Sequence, residues 1–320
     1  MHPSDRKAIT DGFISGLVAG TVVIVWFFLV DVMAGDAFHT PLAMARIILG
    51  ESSGASESQL VLLYTVLHYG VFAGLGVPTA WILYKLRVAP SLLLGALFGL
   101  GVLDAAYYMT LLFTSRNILT VLPPFHVLGA NLVAGMVLMT VLHVFTRSPS
   151  RLGLTVLYDN DLIARGLLTG VLGAGAVALW FLVIDIVAAN PFFTPATLGS
   201  VFFLGAASPA DVQVSLGIIA GYTLLHLSAF GAVGIGLTWL TDRLERAPSF
   251  WLLAVLALIV LEGLFVGTLE VLSHSVLGRI GWWAIGGGNL SAVVVMGAWL
   301  WRTHPRLREE LVEKPVHTKV

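Results

Sequence analysis

Eight stretches of the chain stay apolar long enough to cross a bilayer: 13–33, 60–84, 91–113, 125–145, 166–188, 215–240, 250–273 and 282–301. A crossing helix needs roughly 20 mostly apolar residues at about 1.5 Å each. Polar residues gather between these stretches, and Pro90 and Pro248 sit where the third and seventh begin, a position that suits a first-turn proline. Shorter apolar runs follow the first and fifth stretches. They open with Thr40-Pro41 and Thr194-Pro195 and end at Gly50 and Gly205. Threonine as N-cap with proline at the first helical position predicts a helix in each run. Both are too short to cross, so they are expected to lie in or dip into the outer interface.

The basic residues orient this pattern. Of 17 Lys and Arg, fourteen fall on one side: Arg6, Lys7, Lys85, Arg87, Arg147, Arg151, Arg165, Arg243, Arg246, Arg302, Arg306, Arg308, Lys314 and Lys319. Arg46, Arg116 and Arg279 fall on the other. An excess of Lys and Arg marks the cytoplasmic side, so both termini are expected there.

The pattern also repeats. A shift of 154 carries Gly12, Gly16, Trp26, Phe27, Asp31, Phe38, Thr40 and Pro41 onto Gly166, Gly170, Trp180, Phe181, Asp185, Phe192, Thr194 and Pro195. Beyond the first loop the shift is 158. It carries Tyr64, Leu67, His68 and Phe72 onto Tyr222, Leu225, His226 and Phe230, Asp104 onto Glu262, and Asn131 onto Asn289. The expected architecture is an all-α integral membrane protein with two tandem four-helix repeats, 1–150 and 151–301, and a cytoplasmic polar tail, 302–320. Four spans is an even number, so both repeats start on the same side. That makes them parallel, related by a pseudo-twofold axis along the membrane normal rather than inverted. The Gly12-x-x-x-Gly16-x-x-x-Gly20 stripe, its twin from Gly166 to Ala174, and the pairs Gly70/Gly74 and Gly95/Gly99 are expected to let helices pack closely.

Composition agrees with this reading and excludes others. Hydrophobic residues make up 58% of the chain and charged residues 11%, with a mean hydropathy of +0.93. Soluble domains carry about 25% charged residues, so a soluble enzyme, a nucleic-acid binder and a disordered scaffold are excluded. With no cysteine, thiolate metal sites, a Cys nucleophile and covalent c-type haem are excluded too. None of the common hydrolase, zinc-protease, P-loop or dinucleotide motifs is present, which points away from an enzyme.

Against this background the intramembrane polar residues stand out. Asp31, His68, Asp104 and Asn131 fall in four different spans at outer-leaflet depths, and Asp185, His226, Glu262 and Asn289 repeat the set. Such residues usually face the bundle interior and find partners. They are candidates for a site that binds or conducts a small ion or proton, since imidazole titrates near neutrality and a His with two carboxylates can hold a divalent metal. His68 and His226 could instead ligate one b-type haem and make the chain a redox anchor. A hydrogen-bonded network that simply pins the helices is the structural alternative. Residues that differ between the halves form a secondary set: His126, Glu270 and His274. The polar tail offers contacts to other subunits, as in an accessory subunit of a respiratory or photosynthetic membrane complex.

Each half resembles uncharacterised bacterial inner-membrane proteins of the YagU-like kind. The resemblance rests on Gly16 to Asp31, on Leu67-His68-Tyr69-Gly70-Val71-Phe72, and on Ser91-Leu92-Leu93-Leu94-Gly95. It implies a multi-pass protein of the bacterial inner (cytoplasmic) membrane and supplies a shape without an activity. The tandem fusion departs from that pattern.

Overall fold

A computed structural model describes residues 3–49, 54–107, 122–147, 152–154, 156–206, 208–246, 281–306 and 309. Among these residues every regular element is helical. The helices are α1 (Pro3–Ala34), α2 (His39–Leu49), α3 (Glu57–Leu86), α4 (Leu92–Tyr107), α5 (Pro124–Thr146), α6 (Val156–Asp159), α7 (Asp161–Val187), α8 (Phe193–Leu204), α9 (Leu216–Leu244) and α10 (Trp282–Thr303). Six of them, α1, α3, α5, α7, α9 and α10, are long and apolar enough to cross a membrane. Eight were expected. Stretch 91–113 is described only through Tyr107, which leaves α4 short of a crossing length, and stretch 250–273 lies outside the described residues.

The surface of these helices suits a lipid surround. Leu62 and Val66 in α3 are 65% and 62% exposed, and Val183 in α7 is 60% exposed. Mid-helix apolar side chains pointing outward in this way are stable in hydrocarbon. In water they would form an adhesive patch.

The chain divides into two compact units, Met1–Asn160 and Asp161–Val320. The boundary falls past residue 150 because the linker belongs to the first unit. Leu92 N donates to the Leu152 carbonyl at 2.7 Å, and Val156 is buried.

In the first unit α1 and α3 run antiparallel in close contact. A Cβ added at Gly16 would sit 2.3 Å from the Phe72 carbonyl oxygen, and one at Gly76 would sit 2.3 Å from that of Gly12. Only glycine allows backbones this near, and in lipid such contact is what drives helices together. Gly95 and Gly99 do the same for α4 against α5, where a Cβ at Gly99 would meet the Asn131 carbonyl oxygen at 2.3 Å. The Gly70/Gly74 pair departs from expectation, with open space on its side of α3. It sits on the face of α3 turned away from α1, so its spacing alone did not reveal its neighbour. Phe27, Met44, Leu122, Val127 and Ala130 form the core, with Trp26, Tyr64 and Tyr107 packed on it.

In the second unit α7 and α9 make the same approach. A Cβ at Gly170 would be 2.2 Å from the Phe230 carbonyl oxygen, and one at Gly234 would be 2.2 Å from that of Gly166. Helix α10 lies against α7, with Gly287 under the Trp180 ring and Met296 over Gly173.

Both expected short helices form, but their caps are not the threonines. Helix α2 begins at His39 and α8 at Phe193, so Thr40 and Thr194 lie inside the first turn. The acceptor for that turn is the aspartate near the end of the preceding long helix. Elsewhere side-chain caps are conventional. Ser56 and Gln59 form a capping box at α3, and Ser91 and Ser215 cap α4 and α9.

Candidate functional site

The aspartates near the C-terminal ends of α1 and α7 work as pins. Asp31 Oδ2 accepts from Thr40 N at 2.8 Å and Oδ1 accepts from Thr40 Oγ1 at 2.8 Å. Asp185 does the same with Thr194, at 2.8 and 2.7 Å. Both carboxylates are 3% exposed. A carboxylate held by two donors next to a helix N-terminus is well stabilised, so each short helix is clamped to the long helix before it.

The histidines tie α3 to α1 and α9 to α7. His68 Nε2 donates to the Gly20 carbonyl at 3.0 Å, and His226 Nε2 donates to that of Ala174 at 3.3 Å. Each imidazole packs between an aromatic ring four residues before it and one four residues after it: Tyr64 and Phe72 for His68, Tyr222 and Phe230 for His226. Both rings therefore turn toward the first long helix of their own unit.

Asp104 differs from both groups. It follows a π-helical turn, Phe98–Leu103, and is 1% exposed. Asn131 Nδ2 donates to its Oδ1 at 2.7 Å, while the buried Oδ2 has no hydrogen-bond partner among the described residues. Tyr107 and Tyr64 both pack on the core cluster of the first unit, and the Tyr64 ring meets the His68 ring at 5.9 Å between centroids.

The candidates are paired off instead of gathered around one centre. Among the described residues no three His, Asp or Glu side chains form a group that could hold a metal ion. Glu262, Glu270 and His274 lie outside the described residues. Asn289 is partly buried on α10. His126 proves to be an acceptor, since Trp26 Nε1 donates to its Nδ1 at 3.3 Å. In the second unit Trp180 Nε1 donates to the carbonyl of Ala284, the residue in register with His126, at 2.8 Å.

Two polar groups at the opposite helix ends were missed as sites. In the first unit Tyr84 donates to Asp11 and Lys85 pairs with Asp5 at 3.2 Å. In the second, Arg165 reaches Asp161 at 2.8 Å and Asp242 at 3.3 Å. Asp242 Oδ1 also lies 2.9 Å from Nε2 of His304, a residue 2% exposed whose Nδ1 donates to the Leu300 carbonyl. The signal was present in the register: the same shifts that align the halves carry Asp11 onto Arg165 and Tyr84 onto Asp242.

A pocket of about 110 Å³ opens between α1, α2 and α3 in the first unit. Phe27, Phe28, Phe38 and Tyr64 supply ring walls, with Thr40, Thr65 and His68 as polar lining. No protein-family model, curated protein or solved structure matches the chain.

Proposed function

We propose that the chain is an eight-span protein of the bacterial inner membrane, a duplication of two like-oriented four-helix repeats, whose first half handles a proton or small cation at Asp104. The observation that carries this reading is the half-paired carboxylate: Oδ1 is held by Asn131, and Oδ2 is buried with no partner among the described residues. A mid-membrane Asp costs about 2.5–3.5 kcal/mol on insertion scales, and a proton or cation on Oδ2 offsets that cost. The π-helical turn before Asp104 supports the reading, since such turns concentrate at functional sites. The duplication is supported by the contacts made twice, Asp31–Thr40 with Asp185–Thr194 and His68–Gly20 with His226–Ala174. It also agrees with the likeness of each half to YagU-like proteins. Haem ligation through Nε2 of His68 and His226 would require breaking both histidine–carbonyl bonds.

The test is flux in liposomes reconstituted with the full chain, driven by a pH or cation gradient. Asp104→Asn keeps the bond to Asn131 in one amide orientation and removes the charge, and it is expected to lower flux at least tenfold. Unchanged flux in folded Asp104→Asn protein would reject the reading.

A further inference from the structure

We propose that the pocket between α1, α2 and α3 of the first unit binds a membrane-dissolved phenol-type ring whose hydroxyl donates to Nδ1 of His68. A backbone carbonyl can only accept, so the bond to Gly20 places the ring hydrogen of His68 on Nε2. In the neutral imidazole Nδ1 is then a hydrogen-bond acceptor, and it makes no hydrogen bond among the described residues. Of the hydroxyls that line the pocket, Thr65 Oγ1 donates to the Val61 carbonyl at 2.7 Å and Thr40 Oγ1 donates to Asp31, while the Tyr64 hydroxyl can donate or accept. The pocket therefore offers His68 Nδ1 as an acceptor for a ligand hydroxyl. Its shape asks for a ring. Four aromatic side chains line it, and aromatic pairs gain from offset or edge-on packing. Its volume is somewhat below the roughly 150 Å³ of an apolar cavity that accommodates benzene. Phe28 and Phe38 at its edge are 44% and 54% exposed, so substituents on the ring can project into lipid. In the second half Leu182 and Ala178 stand where Phe28 and Ile24 stand in the first, so the assignment is to the first unit alone. It does not depend on proton handling, because Asp104 does not line the pocket.

The test titrates 4-fluorophenol and fluorobenzene into the full-length protein in detergent micelles, followed by ¹⁹F NMR against protein-free micelles. 4-Fluorophenol is expected to give a saturable shift and to bind roughly fivefold more tightly than fluorobenzene, the factor for about 1 kcal/mol from one net hydrogen bond. His68→Phe should equalise the two probes, and Ile24→Trp, which fills the pocket, should abolish both responses. His226→Phe and Asp104→Asn should leave the titrations unchanged. Three results would overturn the proposal: no saturable response in the unaltered protein, equal affinity for the two probes, or a phenol preference lost on His226→Phe. If His68→Phe fails to fold by size exclusion, the two-probe comparison and Ile24→Trp still decide.

Discussion

The two units agree at one end of their helices and differ at the other. Toward the C-terminal end of the first long helix of each unit Asp31–Thr40 and Asp185–Thr194 match atom for atom, and both histidines reach a carbonyl of that helix. At its N-terminal end the first unit has a tyrosine–aspartate pair where the second has an arginine–aspartate–histidine network. Between the aspartate and histidine contacts lies an intermediate case: a tryptophan donates in both units, to a histidine side chain in one and to a backbone carbonyl in the other. The lesson concerns constraint. The contacts that set where the short helix leaves the long one are the same in both units, and their partners are buried, where a lost partner is not readily replaced by water. The other contacts swap chemistry while the pair is kept.

Mutations can break this comparison, and the largest effect belongs to the glycine stripes. Gly16→Leu and Gly170→Leu should each destabilise by at least about 3 kcal/mol, since the new side chain meets backbone. Gly70→Leu, facing open space, should stay within about 0.5 kcal/mol. Denaturant unfolding in micelles reads all three. Next come the pins. Asp31→Ala and Asp185→Ala should cost about 2–3 kcal/mol each and equally, because each strips two buried donors of their acceptor. Unequal costs would show that the matched geometry hides different energetics.

The N-terminal ends of α1 and α7 should separate the units. Arg165→Met leaves Asp242 and His304 without their cation and should cost about 1–2 kcal/mol, whereas Asp11→Asn, which keeps an acceptor for Tyr84, should cost under about 1 kcal/mol. Smallest of all is the tryptophan pair. Trp180→Phe and Trp26→Phe should each cost about 0.5–1 kcal/mol, since each removes one hydrogen bond and the Ala284 carbonyl keeps its place in the α10 ladder. The same unfolding transitions, followed by far-UV circular dichroism, check both comparisons.

Much of the scaffold was legible in the sequence because hydropathy reports directly on what contacts lipid. The six long helices followed from it, while the two short helices after Asp31 and Asp185 followed from their Thr-Pro starts and the close approach at Gly12, Gly16, Gly95 and Gly99 from small-residue spacing. The site was legible in depth but not in direction. Position along a span shows how far His68 lies from the interface, but the hydrophobic pattern of a helix that is apolar all round does not show which way a side chain points. The histidine partners are carbonyls of Gly20 and Ala174, and the Trp180 partner is that of Ala284. A carbonyl has no sequence signature. For the same reason the polar set read as one cluster, when Asp104 and Asn131 pair with each other and Asp31, His68, Asp185 and His226 are each held by a separate neighbour. The Arg165 network escaped because Arg165 was read only as a topological charge, although the register of Arg165 and Asp242 with Asp11 and Tyr84 was available.

The claim beneath all of this is that two like-oriented quartets of spans make up the chain. Because the chain has no cysteine, single cysteines report their side unambiguously. Asp36→Cys and Asn190→Cys, in exposed turns before the two short helices, should both react with a membrane-impermeant maleimide on intact cells. Arg87→Cys and Arg246→Cys should react only after permeabilisation. Labelling of Asp36→Cys and Asn190→Cys from opposite sides of the membrane would contradict the account.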